Sequence, residues 1–103
     1  MRYDKLVRDK IPELIRKAGE TPVIRILEDA EYREHLEKKL DEEVAEYHKD
    51  KNMEELADIL EVLFALNENL GHTRQELLVF YEQKHAQRGG FSKRIFLISK
   101  ECV

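Results

Sequence analysis

Apolar residues recur at helical spacing through the middle of this 103-residue chain, while short flanking stretches alternate or are rich in β-branched residues. The opening MRYDKLVRDKIPELIRKAG predicts a short first helix from about Asp9 to Ala18. Asp9 is placed to cap it, Pro12 is tolerated in the first turn and Gly19 suits its end. PVIRILED then reads as a strand. Asp29 opens a long helix to about Lys51, with Leu36, Leu40, Val44 and Tyr47 on one stripe. Asn52 caps a third helix from Met53 to Leu70, closed by Gly71. Thr73, with Glu76 three residues on, forms a capping box for a fourth helix ending at Gly89-Gly90. The tail FSKRIFLISK reads as a second strand, able to pair with PVIRILED.

The third helix is apolar around much of its circumference, through Leu56, Ile59, Leu60, Val62, Leu63, Phe64 and Leu66. Such a helix must be buried on more than one face. A central place in a compact bundle would do this. A homo-oligomer, dimer or tetramer, in which the helix packs on its symmetry mate does it more fully, because one short helix and a two-stranded ribbon give little cover. The expected fold is therefore mainly α: a four-helix, bundle-like single domain over residues 1–103, with a short two-stranded β ribbon, completed by oligomerisation.

Composition narrows the setting. Charged residues make up 39% of the chain and the net charge is −4, which provides no basic field for nucleic acid. There is no run of about 18 apolar residues for a membrane span and no signal-peptide core. Cys102 is the single cysteine and has no Cys/His companions for zinc. These features fit an untargeted, cytoplasmic protein.

Helical phase sorts the acids of DEEVAEYHKDKNMEELADILE. With Leu36 at zero and about 100° per residue, Tyr47 lies at about 20°, Leu40 at about 40° and Val44 at about 80°. On the same geometry Glu43 falls at about −20°, inside that stripe, Glu46 at about −80° on its edge and Glu42 at about −120°. On the third helix, with Glu55 at zero, Leu66 lies at about 20°, Val62 at about −20°, Ile59 at about 40° and Asp58 at about −60°. Glu54, Glu61 and Glu68 turn away toward solvent. Glu43, Glu46, Glu55 and Asp58 are thus the acids in apolar phase.

A hairpin turning at about Asp50 to Asn52 would bring those acids together. Converging carboxylates raise one another's pKa and cannot all stay ionised without cations. An oxygen-only ligand set points to Mg²⁺ or Mn²⁺ rather than zinc. The ordinary alternative is surface acids on helices that drift from ideal phase.

At these residues the chain resembles the all-α nucleotide pyrophosphohydrolases, the MazG-like group that includes phosphoribosyl-ATP pyrophosphohydrolase. That pattern, Glu-Glu-x-x-Glu followed by Glu-x-x-Asp, reads here as Glu42-Glu43-Val44-Ala45-Glu46 and Glu55-Leu56-Ala57-Asp58. YDKLVRDKIPE, EELADILEV and RGGFSKRI extend the likeness to the small, phosphoribosyl-ATP pyrophosphohydrolase-like branch. The interval from Glu46 to Glu55 is shorter than in many relatives, which leaves a small loop where a nucleotide pocket is often shaped. The resemblance implies that Glu43, Glu46, Glu55 and Asp58 ligate Mg²⁺. It gives Glu42 an assisting catalytic role, as a partner of the ligands or in orienting the attacking water. It implies hydrolysis of a nucleoside triphosphate or related nucleotide to monophosphate and pyrophosphate.

Polyphosphate binding to an acidic site needs nearby cations. Lys5 and Arg8 near the start, and Lys84 and Arg88 before Gly89-Gly90, are the phosphate-binding candidates. Gly89-Gly90 also fits a simple helix end, with Lys84 and Arg88 complementing the helix dipole. His35, His48, His72 and His85 lack metal-ligand spacing and are expected at the surface. Phe91, opening an apolar segment, is expected in the core, the alternative being that it stacks on a base. The competing function is a non-catalytic, metal-stabilised helical module that binds a nucleotide or protein.

Overall fold

The computed structural model describes residues 2–102. Its helices are α1 (Ile11–Lys17), α2 (Asp29–Asp50), α3 (Met53–Asn69) and α4 (Arg74–Arg88). The class is mainly α, and among the described residues no strand is formed. The chain divides into two compact units, Met1–His72 and Thr73–Val103.

The first unit is built on the α2–α3 hairpin. Lys51 turns the chain with φ 49° and ψ 50°, and its N–H donates to the Tyr47 carbonyl at 2.7 Å. A left-handed turn residue ends the helix in the usual way, though lysine takes that conformation less readily than glycine or asparagine. Asn52 then caps α3, its Oδ1 accepting from the Glu55 N–H at 2.9 Å. Asparagine at this position satisfies one of the donors that a helix start leaves open.

Leu36 on α2 and Val62 on α3 are the buried apolar side chains among the described residues. Leu40, Val44, Tyr47, Ile59, Ala65 and Leu66 are half-buried around them, which matches the stripes expected from helical phase. At the end of the hairpin away from the turn, Arg33 Nε donates to Asn69 Oδ1 at 2.6 Å and so ties the two helices together. The remaining face of α3 carries Met53, Leu56, Leu60 and Leu63, with Leu70 just past its end, all exposed.

Helix α1 starts at Ile11, later than the sequence pattern implies, and Asp9 does not cap it. Lys10 occupies the capping position without a side-chain hydrogen bond. The reason is local: Pro12 has no N–H for a cap to accept, and the Arg8 carbonyl already takes the Ile11 N–H at 3.0 Å. Residues 20–28 pass on to α2 as irregular chain rather than as the expected strand, with Val23 and Ile26 exposed. Arg25 holds this segment to the first turn of α2 through a two-pronged pair with Glu31, at 2.8 and 2.6 Å.

In the second unit, the capping box of α4 is complete. Thr73 Oγ1 accepts from the Glu76 N–H at 3.1 Å, and Glu76 Oε1 accepts from the Thr73 N–H at 2.9 Å. The helix stops at Gly89, where φ is +77°. The tail forms no strand, and Phe91 is 98% exposed instead of lying in a core. The β ribbon expected from PVIRILED and FSKRIFLISK is therefore not present among the described residues. An alternating apolar pattern records a surface suited to a sheet, but an isolated two-stranded ribbon is marginal in water and does not form on pattern alone.

Candidate metal centre

The turn end of the hairpin gathers carboxylates. Glu43, Glu55 and Asp58 each offer an oxygen, and these oxygens lie within 4.8 Å of one another. Glu46, Asp50 and Glu55 make a second such group. Glu55 belongs to both, so the acids form one continuous patch. Helical spacing explains the assembly: Glu43, Glu46 and Asp50 follow one another at i, i+3 and i+7 on α2, and Glu55 and Asp58 at i, i+3 on the first turns of α3.

Exposure differs across the patch. The Glu43 side chain is 12% exposed, Glu55 and Asp58 are half-buried, and Glu46 and Asp50 are exposed. Partial burial, then the charges of Asp58, Asp50, Glu46 and Glu43, hold the Glu55 carboxyl above the usual carboxylate range. This is the electrostatic signature of a site lacking positive charge.

Among the described residues, two cations form ion pairs with it. Arg8 Nη2 lies 2.6 Å from Asp58 Oδ1, across a separation of fifty residues in sequence. Lys39, one turn before Glu43, places its Nζ 3.3 Å from Glu43 and 3.5 Å from Glu42. Five carboxylates thus face two ion-pairing cations, and the balance among the described residues is net negative.

The four acids singled out by helical phase do come together, but divided between the two groups: Glu43 and Asp58 on one side of Glu55, Glu46 on the other. Glu42 points its charge to Lys39 and is outside both groups. Arg8 is in the patch, as a partner of Asp58. Lys5 is exposed, with its Nζ 5.8 Å from the centre of the Tyr3 ring. In the second unit, Lys84 has its Nζ 5.9 Å from the Phe80 ring centre and Arg88 is the exposed last residue of α4. His48, His72 and His85 are exposed and His35 is half-buried.

Asp50 and Lys39 belong to the site although the sequence reading does not single them out. A signal exists. On the same wheel Asp50 falls at about −40° and Lys39 at about −60°, in phase with Glu43. Asp50 reads as part of the turn, and a lysine does not look like part of an acid cluster.

The donor set is oxygen only, partly dehydrated and short of positive charge, which fits Mg²⁺ or Mn²⁺. Two grooves on this unit, of about 450 and 390 Å³, lie toward the other end of the hairpin and share Arg33 and Asn69. Among the described residues no helix is long and apolar enough to cross a membrane.

Known proteins add little chemistry. A 42-residue stretch is 69% identical to an uncharacterized protein of Mycolicibacterium smegmatis, covering 41% of this chain and 43% of that protein's length. No protein-family model matches the chain. No solved structure matches it.

Proposed function

We propose that this protein is an Mg²⁺-dependent nucleotide pyrophosphohydrolase of the MazG-like type, releasing pyrophosphate from a nucleoside triphosphate or related nucleotide. The observation that carries this reading is the convergence of Glu43, Glu55 and Asp58 with Glu46 and Asp50 around a shared, electrostatically strained Glu55. They include four of the five acids of the Glu-Glu-x-x-Glu and Glu-x-x-Asp pattern, Glu42 lying outside both groups, with Asp50 added. Mn²⁺ would serve in place of Mg²⁺.

In this reading Glu43, Glu55 and Asp58 hold the cation against the half-buried wall of the hairpin, and Glu46 and Asp50 extend the ligand surface outward. Bound Mg²⁺ supplies positive charge for phosphate oxygens and acidifies water for attack. Lys39 keeps Glu42 and Glu43 in fixed relative positions by bridging them. Glu42, exposed beside the patch, accepts a proton or orients water from outside the ligand set. Arg8 grips phosphate, with Lys5 as a further contact. Lys84 and Arg88, on α4, are the phosphate-binding candidates of the second unit.

The proposal includes a homo-oligomer working in the cytoplasm. The exposed Met53, Leu56, Leu60, Leu63 and Leu70, with Asn67 between the last two, follow a three-four spacing along α3 and its end. That spacing is the seam by which helices pair, and a polar residue at one seam position sets register. Light scattering on a sizing column reads the mass directly; a monomer at every concentration removes the oligomer.

The activity is tested by incubating the protein with a nucleotide panel and Mg²⁺ and measuring pyrophosphate. Turnover of at least one nucleotide, lost by about a hundredfold or more in Glu43→Gln and Asp58→Asn, is expected. Turnover that survives both changes would overturn this reading, whereas no turnover together with Mg²⁺-dependent thermal stabilisation would point to the non-catalytic, metal-stabilised binding module.

A further inference from the structure

The two cations at the acid patch are held in different ways, and the difference matters. Lys39 sits on the same helix as its partners Glu42 and Glu43 and is only 20% exposed, so it stays wherever α2 stays. Arg8 lies in the non-helical segment ahead of α1 and reaches Asp58 on α3 from outside the hairpin. Its backbone is anchored, because its carbonyl accepts the Ile11 N–H at the start of α1. Its side chain is 55% exposed and is held at its tip by the Asp58 carboxylate, itself 34% exposed. A guanidinium on a fixed backbone, with one solvent-facing ion pair, can move by rotating its own side chain while both helices remain in place.

The carboxylate it holds is one that the cation site needs. Asp58 is a member of the inner group with Glu43 and Glu55. A divalent cation there takes over the neutralisation of Asp58, and its charge repels the guanidinium a few ångströms away. Arg8 then points free charge at the mouth of the patch, where an anionic substrate must arrive. A planar guanidinium matches two phosphate oxygens at once.

We propose that Arg8 is a displaceable counter-cation: it neutralises Asp58 in the metal-free protein and is handed over to a phosphate oxyanion when a divalent cation occupies the carboxylates. This rests on the metal-site reading above and adds an order of events to it. Arg8 opposes metal binding and favours anion binding, two effects of opposite sign from one side chain. A purely structural arginine would not produce that pair of signs.

The test uses the full-length protein and two probes, Mn²⁺ followed by the free-ion paramagnetic resonance signal, and inorganic pyrophosphate added to the Mn²⁺-loaded protein. Arg8→Gln is expected to bind Mn²⁺ about three- to tenfold more tightly than wild type, and pyrophosphate weaker by a similar factor. Arg8→Lys, which keeps the charge, should return Mn²⁺ affinity to near the wild-type value. Arg16→Gln, on the exposed side of α1, removes the same charge at a distance and should change neither. Equal Mn²⁺ affinity in wild type and Arg8→Gln, or an equal gain in Arg16→Gln, would overturn the proposal. Unchanged pyrophosphate affinity in Arg8→Gln would remove the hand-over. If neither wild type nor Arg8→Gln binds Mn²⁺, the metal site itself falls, and this inference with it.

Discussion

The two ends of the α2–α3 hairpin are made from the same pair of helices and are held by opposite logic. At the open end, Arg33 bonds the Asn69 side chain and carbonyl across the helices, a tie that gathers no like charges. At the turn end, five acids converge and, among the described residues, Arg8 and Lys39 answer them. The open end is arranged for stability. The turn end gives stability up, and a fold with Leu36 and Val62 as its buried apolar pair has little to give. Such a concentration of strain in one place fits a part that is completed by a ligand.

Four substitutions separate the ends. The largest effect is expected from Leu36→Ala, which removes the core both ends share and should cost about 2–4 kcal/mol in chemical denaturation. Arg33→Ala breaks the open-end tie and should cost about 0.5–1.5 kcal/mol by the same method, with Mg²⁺ affinity unchanged. Glu55→Gln should do the reverse at the turn end: in chelator-treated protein the melting temperature rises, because one of the repelling charges is gone. Smallest is Lys51→Gly, which relieves a left-handed lysine and should stabilise by a few tenths of a kcal/mol, leaving both ends as they are.

A pH series sharpens the same contrast. The Glu55 carboxyl is raised above its ordinary value of 4.5, so the folded protein binds its proton more readily than the unfolded chain. Stability contributed by this group should therefore increase as pH falls through the raised folded value toward 4.5 in metal-free protein, and Mg²⁺ should flatten the slope. Glu31, lowered by its hydrogen bond to Arg25, behaves oppositely: its contribution is present above 4.5 and is lost only as pH falls through the lower folded value. Melting temperatures followed across pH, with and without Mg²⁺, place the two windows on either side of 4.5.

Much of this arrangement is legible in the string of residues because helices obey a fixed period. The caps at Asn52 and Thr73, the stripe of Leu36 to Tyr47 and the inward phase of Glu43, Glu55 and Asp58 all follow from spacing and local hydrogen bonding, while Glu46, expected with them at the edge of the stripe, is exposed. What is not legible depends on partners far away in sequence. No local rule says that Arg8 meets Asp58. None says that Val23 to Ile26 and Ile95 to Ile98 remain exposed and unpaired, since strand formation needs a ladder that the pattern itself does not contain. Asp9 does not cap α1 for a neighbour's reason, the proline at position 12.

The central claim is that the turn-end acids are a divalent cation site, and calorimetric titration of Mg²⁺ into wild type and Glu55→Gln tests it most directly. Saturable binding by the wild-type protein is predicted, together with loss of that binding in Glu55→Gln, which removes the carboxylate common to both acid groups. Absence of binding by wild type, or equal binding by both proteins, would contradict it.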